Sequence, residues 1–270
     1  MKTNGRLIKK QKPALYIRIF ILIEIILFLL FMSLDMISAF SNPLQNSYYM
    51  TITGTGILTP SYLKYYSIIL CLGISILKCY KGGNRAVYIL AAAMFFTAVS
   101  DYFLLLHPGN IIPGLISFCL VHTIYLYVIA NGNLKLTFIT ASLRILAAVT
   151  IGLILKFTGI LKFGNDQNMT PLVILVILYG ISFVSNIFKL AITVLDKTKK
   201  DKECLFPNPY MFLMGLALFI LCDFNVLIYN LDSFFNIGSS LFETIKNFSS
   251  VLMWGFYLPS QVIIVLSVVA

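Results

Sequence analysis

Apolar residues gather in eight long blocks along the chain, separated by short polar or basic segments. The hydrocarbon core of a bilayer is ~30 Å thick, and an α-helix rising ~1.5 Å per residue crosses it in about 20 mostly apolar residues. The blocks at 17–38, 62–78, 86–106, 111–130, 136–156, 170–194, 209–230 and 249–269 suit that length. They predict an all-α, polytopic membrane bundle of eight transmembrane helices. The connection at 39–61 is the long one, polar and turn-rich, with Ser41-Asn42-Pro43 and Thr53-Gly54-Thr55-Gly56. None of the connections is long and polar enough for a domain of its own. The expected organisation is therefore one transmembrane domain over 1–270, preceded by a basic tail over 1–16. The first block is too long for a signal-peptide core and carries Glu24, so it is expected to stay as the first helix.

Composition agrees with lipid as the solvent. The 270 residues are 59% hydrophobic and 11% charged, where a soluble domain carries about 25% charged residues. A formal charge of +10 raises the question of nucleic acid, but the cations form no folded face and accompany no recognition motif, so no nucleic-acid partner is expected. They cluster instead in the tail (Lys2, Arg6, Lys9, Lys10, Lys12) and in alternate connections (Lys78, Lys81, Arg85; Lys135; Lys197, Lys199, Lys200, Lys202). The other connections and helix edges hold only Lys64, Lys156, Lys162 and Lys246. Positive residues accumulate on the cytoplasmic side of membrane proteins, so this asymmetry predicts both termini in the cytoplasm.

Five cysteines without a CxxC pair are expected to be small apolar fillers. Two histidines, His107 and His122, cannot supply a three-histidine metal site, which argues against a zinc-dependent membrane ceramidase. A Gly-rich phosphate loop, a GxSxG elbow and an HExxH motif are all missing from the sequence.

The informative residues are those that hydrocarbon tolerates poorly. An ionisable group inside a span costs several kcal/mol unless paired or solvated, which makes it a functional candidate. Asp101 lies in the third block and Asp223 in the seventh, each about 14–15 residues from the cytoplasmic start of its helix. At ~1.5 Å per residue both reach roughly 21–22 Å, so the two carboxylates meet if their helices are neighbours. The shared pattern of a small residue, Asp and an aromatic hints at a parallel repeat relating helices 3–4 to 7–8. The helix after each aspartate carries a polar stripe. Gly114, Phe118, His122 and Tyr125 share one helical face, as do Tyr257 and Gln261 beside Pro259. The plainer alternative for each residue is interhelical hydrogen bonding. Grouping of Asp101, His122, Tyr125, Asp223, Tyr257 and Gln261 in two matching helix pairs favours a site. Glu24 and Asp35, eleven residues apart and on one face, suit structural pairing. Lys189 suits snorkelling toward headgroups, and Arg144 is open between snorkelling and a lipid phosphate.

Three stretches carry a family resemblance. Phe95-Phe96-Thr97-Ala98-Val99-Ser100-Asp101 forms the first. Pro113-Gly114-Leu115-Ile116-Ser117-Phe118 with His122 and Tyr125 forms the second. Leu218-Phe219-Ile220-Leu221-Cys222-Asp223, followed by Tyr257-Leu258-Pro259-Ser260-Gln261, forms the third. Together they resemble the YhhN-like family of membrane proteins, which includes lysoplasmalogenases. Ser100, Cys222 and Ser260 stand where the family usually has Gly, Ser and Ala, substitutions that keep small residues at close contacts.

The resemblance implies hydrolysis of 1-alkenyl lysophospholipids to a fatty aldehyde and a glycerophospho-base. A vinyl ether hydrolyses when an acid protonates its β carbon and water attacks the resulting oxocarbenium ion. Two carboxyl groups in a semi-dry cavity suit the two roles, by analogy with paired-carboxylate glycosidases. The implied catalytic residues are Asp101 and Asp223, with His122, Tyr125, Tyr257 and Gln261 supporting or binding substrate. The chemistry calls for no metal and no organic cofactor. Expected partners are the lysophospholipid substrate and membrane lipids, and the expected location is the plasma membrane of a bacterium. A lipid or small-molecule transporter with a proton-linked aspartate pair is the competing class, because such pairs also serve proton-coupled transport.

Overall fold

The computed structural model describes residues 14–40, 59–107, 110–158, 169–195, 204–230 and 240–270. Most of the basic tail, most of the 39–61 connection and the Lys197–Lys202 cluster lie outside the described residues. The helices are α1 (Leu15–Phe40), α2 (Pro60–Tyr80), α3 (Arg85–Asp101), α4 (Ile111–Ile129), α5 (Leu134–Phe157), α6 (Met169–Leu195), α7 (Pro209–Asn230) and α8 (Ser240–Val269). Among the described residues there are eight helices long and apolar enough to cross a membrane, and no strands. The chain is an integral, multi-pass membrane protein.

Local chemistry sets several of the helix starts. Asn84, Asn133 and Asn208 accept hydrogen bonds from the backbone N–H groups of Val87, Leu136 and Met211 at 3.3, 3.0 and 3.1 Å. Each bond satisfies a donor that the first helical turn leaves without a partner. Pro60, whose fixed φ suits the first turn, opens α2 behind the cap Thr59. α4 ends where Asn131 and Gly132 turn left-handed (φ 51° and 77°) and the Gly132 N–H reaches back to the Tyr127 carbonyl at 2.9 Å.

Two boundaries differ from the sequence expectation. α8 begins at Ser240, a full two turns before residue 249. Glu243, Lys246 and Asn247 interrupt the apolar run there, yet the segment continues the helix, with Phe248 packed on Phe40 at a ring separation of 4.9 Å. The third span is not uniformly α-helical. Its α-helix stops at Asp101, and Tyr102–Leu106 form a wider π-helical turn. Such turns insert a residue into the helical repeat and often occur at functional sites.

Contacts between helix ends define the two faces of the bundle. On one face the Lys78 ammonium donates to the Val269 carbonyl at 3.3 Å, and Lys81 stands over the Tyr16 ring. Arg85 bonds the Tyr127 hydroxyl on the same face. There too the Leu205 N–H donates to the Val128 carbonyl and the Asn208 N–H to the Ser267 carbonyl. The starts of α1, α3 and α7 therefore share a face with the ends of α2, α4 and α8, and it carries Lys78, Lys81 and Arg85. On the other face Lys64 pairs with Asp35 at 2.7 Å, and the Lys64 ammonium lies 4.9 Å from the centre of the Trp254 ring.

α8 is the pivot of the packing. It lies along α7 and also touches α1, α2 and α3, while α4 joins α3 to α6 and α5 covers α6. The α7–α8 approach is close because Gly215 has no side chain: a Cβ there would stand 2.6 Å from Ile264 Cγ1 and 3.1 Å from the Ser260 carbonyl. Gly114 does the same for α3 and α4, where the Ser100 hydroxyl donates to the Gly114 carbonyl at 2.7 Å. The outer surfaces of α1 and α5 are apolar, as lipid contact requires, with Leu22, Leu29, Phe138 and Leu146 exposed.

Candidate functional site

The π-helical turn after Asp101 and the α7–α8 pair enclose a cavity of about 350 Å³. Asp101 reaches it from α3, Phe118 from α4, Tyr179 from α6, Phe219 and Asp223 from α7, and Trp254 and Tyr257 from α8. Its rim runs to the exposed residues Val226, Tyr229 and Asn230 at the end of α7. The cavity thus lies in the half of the bundle away from the Lys78–Lys81–Arg85 face.

Each aspartate is held by one tyrosine. The Tyr257 hydroxyl donates to Asp101 Oδ2 at 2.7 Å, and the Tyr179 hydroxyl donates to Asp223 Oδ2 at 2.6 Å. Asp101 is 3% exposed, whereas Asp223 is half-buried, nearer the rim. Aromatic rings fix the tyrosines in turn. Tyr257 meets Trp254, Phe219 and Phe118 edge-on at 5.0, 5.3 and 6.5 Å, and Tyr179 lies 5.9 Å from Phe118. The wall is therefore apolar and rigid, with two carboxyl groups and two phenols as its chief polar features. Asp101 and Asp223 are the carboxyl groups on this wall that can take up or give a proton.

Of the six residues singled out from sequence, Asp101, Asp223 and Tyr257 line this cavity, and His122, Tyr125 and Gln261 do not. The last three are fully buried behind it. The His122 ring is packed by Tyr179, Phe183 and Phe219 at 5.0, 4.7 and 5.9 Å, and Tyr125 meets Phe212 edge-on at 5.2 Å. Gln261 donates to the Ser260 hydroxyl at 3.4 Å. Both His122 nitrogens, the Tyr125 hydroxyl and Gln261 Oε1 have no hydrogen-bond partner among the described residues. The reason is depth along the helix: His122 sits one turn beyond Phe118 on the same stripe, toward the basic face, so Phe118 takes the cavity wall. The aspartates also pair differently from the two-repeat pattern, since Tyr257 of α8 holds Asp101 and not Asp223 of its own helix pair.

Tyr179 and Trp254 escaped the sequence reading. The one signal for Tyr179 is the polar stripe it heads with Ser182 and Asn186 inside a span, the kind of pattern that selected His122 and Tyr125. Glu24 and Asp35 do not pair with each other. Asp35 bonds Lys64, and Glu24 accepts a weak hydrogen bond from the Cys71 thiol at 3.8 Å. Among the described residues, no three of His, Cys, Asp and Glu stand close enough to share a metal ion.

Fold and site together define a multi-pass helical membrane protein with two tyrosine-held aspartates on one intramembrane cavity. Residues 61–268 match the YhhN family, and the chain belongs to that family. The matched stretch contains both aspartates and both tyrosines. Comparison with curated proteins and with solved structures finds no match.

Proposed function

We propose that the protein is a hydrolase that cleaves the vinyl-ether bond of lysoplasmalogens, acting in the plasma membrane of a bacterium. The observation that carries this reading is the placement of Asp101 and Asp223 on one apolar cavity, each fixed through Oδ2 by a tyrosine O–H. Family membership supports it. The cavity volume falls in the ~300–1,000 Å³ range of ligand pockets, and its rim leaves an alkenyl chain a path to lipid.

The reaction needs one carboxylic acid, one carboxylate and one water. With Oδ2 occupied by a phenol, the proton to be transferred is carried on Oδ1 of the acid. It passes to the β carbon of the vinyl ether, and the ether oxygen stabilises the cation formed at the α carbon. The second carboxylate takes a proton from water as the water oxygen bonds to that carbon. The hemiacetal then collapses: its O–H proton goes to the first carboxylate, the second carboxyl gives its proton to the departing glycerol oxygen, and a fatty aldehyde and the free hydroxyl of the glycerophospho-base result. One C–O bond breaks, one water is consumed, and no electron acceptor is involved. Tyr257 and Tyr179 orient the two carboxyl groups, an arrangement that general acid–base catalysis requires before any question of strength arises. In this reading His122, Tyr125 and Gln261 are positioning residues behind the wall.

The test compares a 1-alkenyl and a 1-alkyl lysophosphoethanolamine of equal chain length with the purified protein. The alkenyl lipid should release aldehyde, more slowly in heavy water. The alkyl lipid should compete for the cavity and yield nothing, because it has no carbon able to accept the proton. Equal handling of both lipids without aldehyde would favour the transporter reading instead.

A further inference from the structure

A second cavity, of about 200 Å³, lies between α4, α5 and α6, apart from the aspartate site. Arg144 lines it with Thr123 and Ser182. Arg144 is 8% exposed and stands ten residues into α5, about 15 Å from its start. That is the middle of a span, too deep for a side chain whose only task is to reach the headgroups. Its Nη2 donates to Asn186 Oδ1 at 3.0 Å, and Asn186 Nδ2 donates to the His122 carbonyl at 2.8 Å. The Asn186 amide is thereby fixed with its oxygen toward the guanidinium. A guanidinium carries five N–H donors, and a neutral amide answers one of them. Among the described residues no carboxylate pairs with Arg144, nor with Lys189, which follows Asn186 by three residues on the same face of α6. A cation in hydrocarbon is costly without an anion.

We infer that this cavity binds the carboxylate of a single-chain fatty acid, with Arg144 as its ion-pairing group and the chain leaving sideways into lipid. Three features select that ligand. The charge selects an anion, and the planar fork of a guanidinium matches a carboxylate with two parallel hydrogen bonds. The size excludes a larger headgroup: the cavity is little bigger than the ~150 Å³ that accommodates benzene, enough for a carboxylate and its first methylenes but not for a glycerophosphate and its base. The direction of opening selects an amphiphile. The rim residues Ile116, Leu120 and Ile145 are exposed on the outer surface of the bundle, so the ligand arrives from the membrane. The site is built from residues outside the aspartate cavity and rests on no part of the hydrolase reading.

Equilibrium binding of radiolabelled oleate to the full-length protein in phosphatidylcholine nanodiscs tests it. Oleate should bind saturably, one per chain, and oleyl alcohol, equal in length but uncharged, at least ten-fold more weakly. Arg144→Gln should weaken oleate at least ten-fold, and Arg144→Lys less, because a lysine keeps the charge but not the fork. Ile145→Trp, which changes only a lipid-facing rim residue, should weaken oleate without touching the cation and serves if the Arg144 variants do not fold. Unchanged oleate binding in Ile145→Trp, or equal binding of the alcohol, would overturn the assignment. So would displacement of oleate by phosphatidylglycerol at equal concentration, which would make phosphate the ligand group.

Discussion

Tyrosine-to-phenylalanine exchange at positions 257 and 179 removes one hydroxyl from each aspartate while keeping the ring that packs the wall. The two sites should respond unequally. Asp101 and Tyr257 are 3% and 4% exposed, so bulk water replaces the lost donor poorly. A hydrogen bond to a charged group contributes about 1.5–3 kcal/mol, and a preorganised donor facing developing charge about 2.7–4 kcal/mol. A loss of about 2–3 kcal/mol corresponds to roughly 30- to 150-fold in rate at ~1.36 kcal/mol per factor of ten. Asp223 and Tyr179 are half-buried beside the rim, where water can stand in for the phenol. There the ordinary net worth of a hydrogen bond applies, about 0.5–1.5 kcal/mol, or roughly 2- to 10-fold. The assay is the initial rate of aldehyde release from a 1-alkenyl lysolipid in detergent, with thermal unfolding followed in parallel. Tyr257→Phe retaining more than half the activity, or Tyr179→Phe falling further than Tyr257→Phe, would refute the argument from burial.

Asp101→Asn and Asp223→Asn should each abolish aldehyde release while elution volume and melting temperature stay close to the parent, since Asn preserves shape but delivers no acidic proton. Reporter fusions at Asn131, Lys199 and the C-terminus should read cytoplasmic and those at Gln45, Asn165 and Ser239 external. A cytoplasmic Asn165 with an external Lys199 would reverse that orientation. Gly215→Ala places a methyl 3.1 Å from the Ser260 carbonyl and 2.6 Å from Ile264 Cγ1. Overpacking of that kind costs about 1–3 kcal/mol, so the melting temperature should drop, and an unchanged melt would show that α7 and α8 can part without cost.

The spans were legible because hydrocarbon demands long apolar runs, a signal that does not depend on tertiary contacts. The start of α8 was hidden for the same reason: Glu243 and Lys246 belong to a helix that outruns the ~30 Å core. Its 30 residues measure ~45 Å at the helical rise. Asp101 and Asp223 were legible from charge in a span, and both line one cavity. What the sequence hid was the depth of the cavity along each stripe. The stripe Gly114–Phe118–His122 places all three on one face, but only packing decides which turn of that face meets the cavity, and Phe118 does. His122, Tyr125 and Gln261 share the stripes and are buried a turn or more further along. Tyr179 was hidden because a tyrosine in a span is common, and its meaning comes from a carboxylate on another helix.

The pairing of donors has a consequence for how the site is completed. Asp101 belongs to the first half of the chain, yet its phenol comes from α8, the last helix, 156 positions later. α8 makes this reach because it packs on α1, α2, α3 and α7 at once, through Gly215 on one side and the Trp254 ring beneath the Lys64–Asp35 pair on another. Ser100 is held within α3 and α4 by the Gly114 carbonyl, whereas the hydroxyl that donates to Asp101 comes from α8. A buried carboxyl oxygen left without that phenol would carry about the cost of an unsatisfied acceptor. The packing of α8 therefore does two things: it satisfies the buried acceptor and it closes the cavity wall with Trp254 and Tyr257. Stability of the last helix and competence of the site are coupled through one hydroxyl, and a change that loosens α8, such as one at Gly215, should reach Asp101 without touching it.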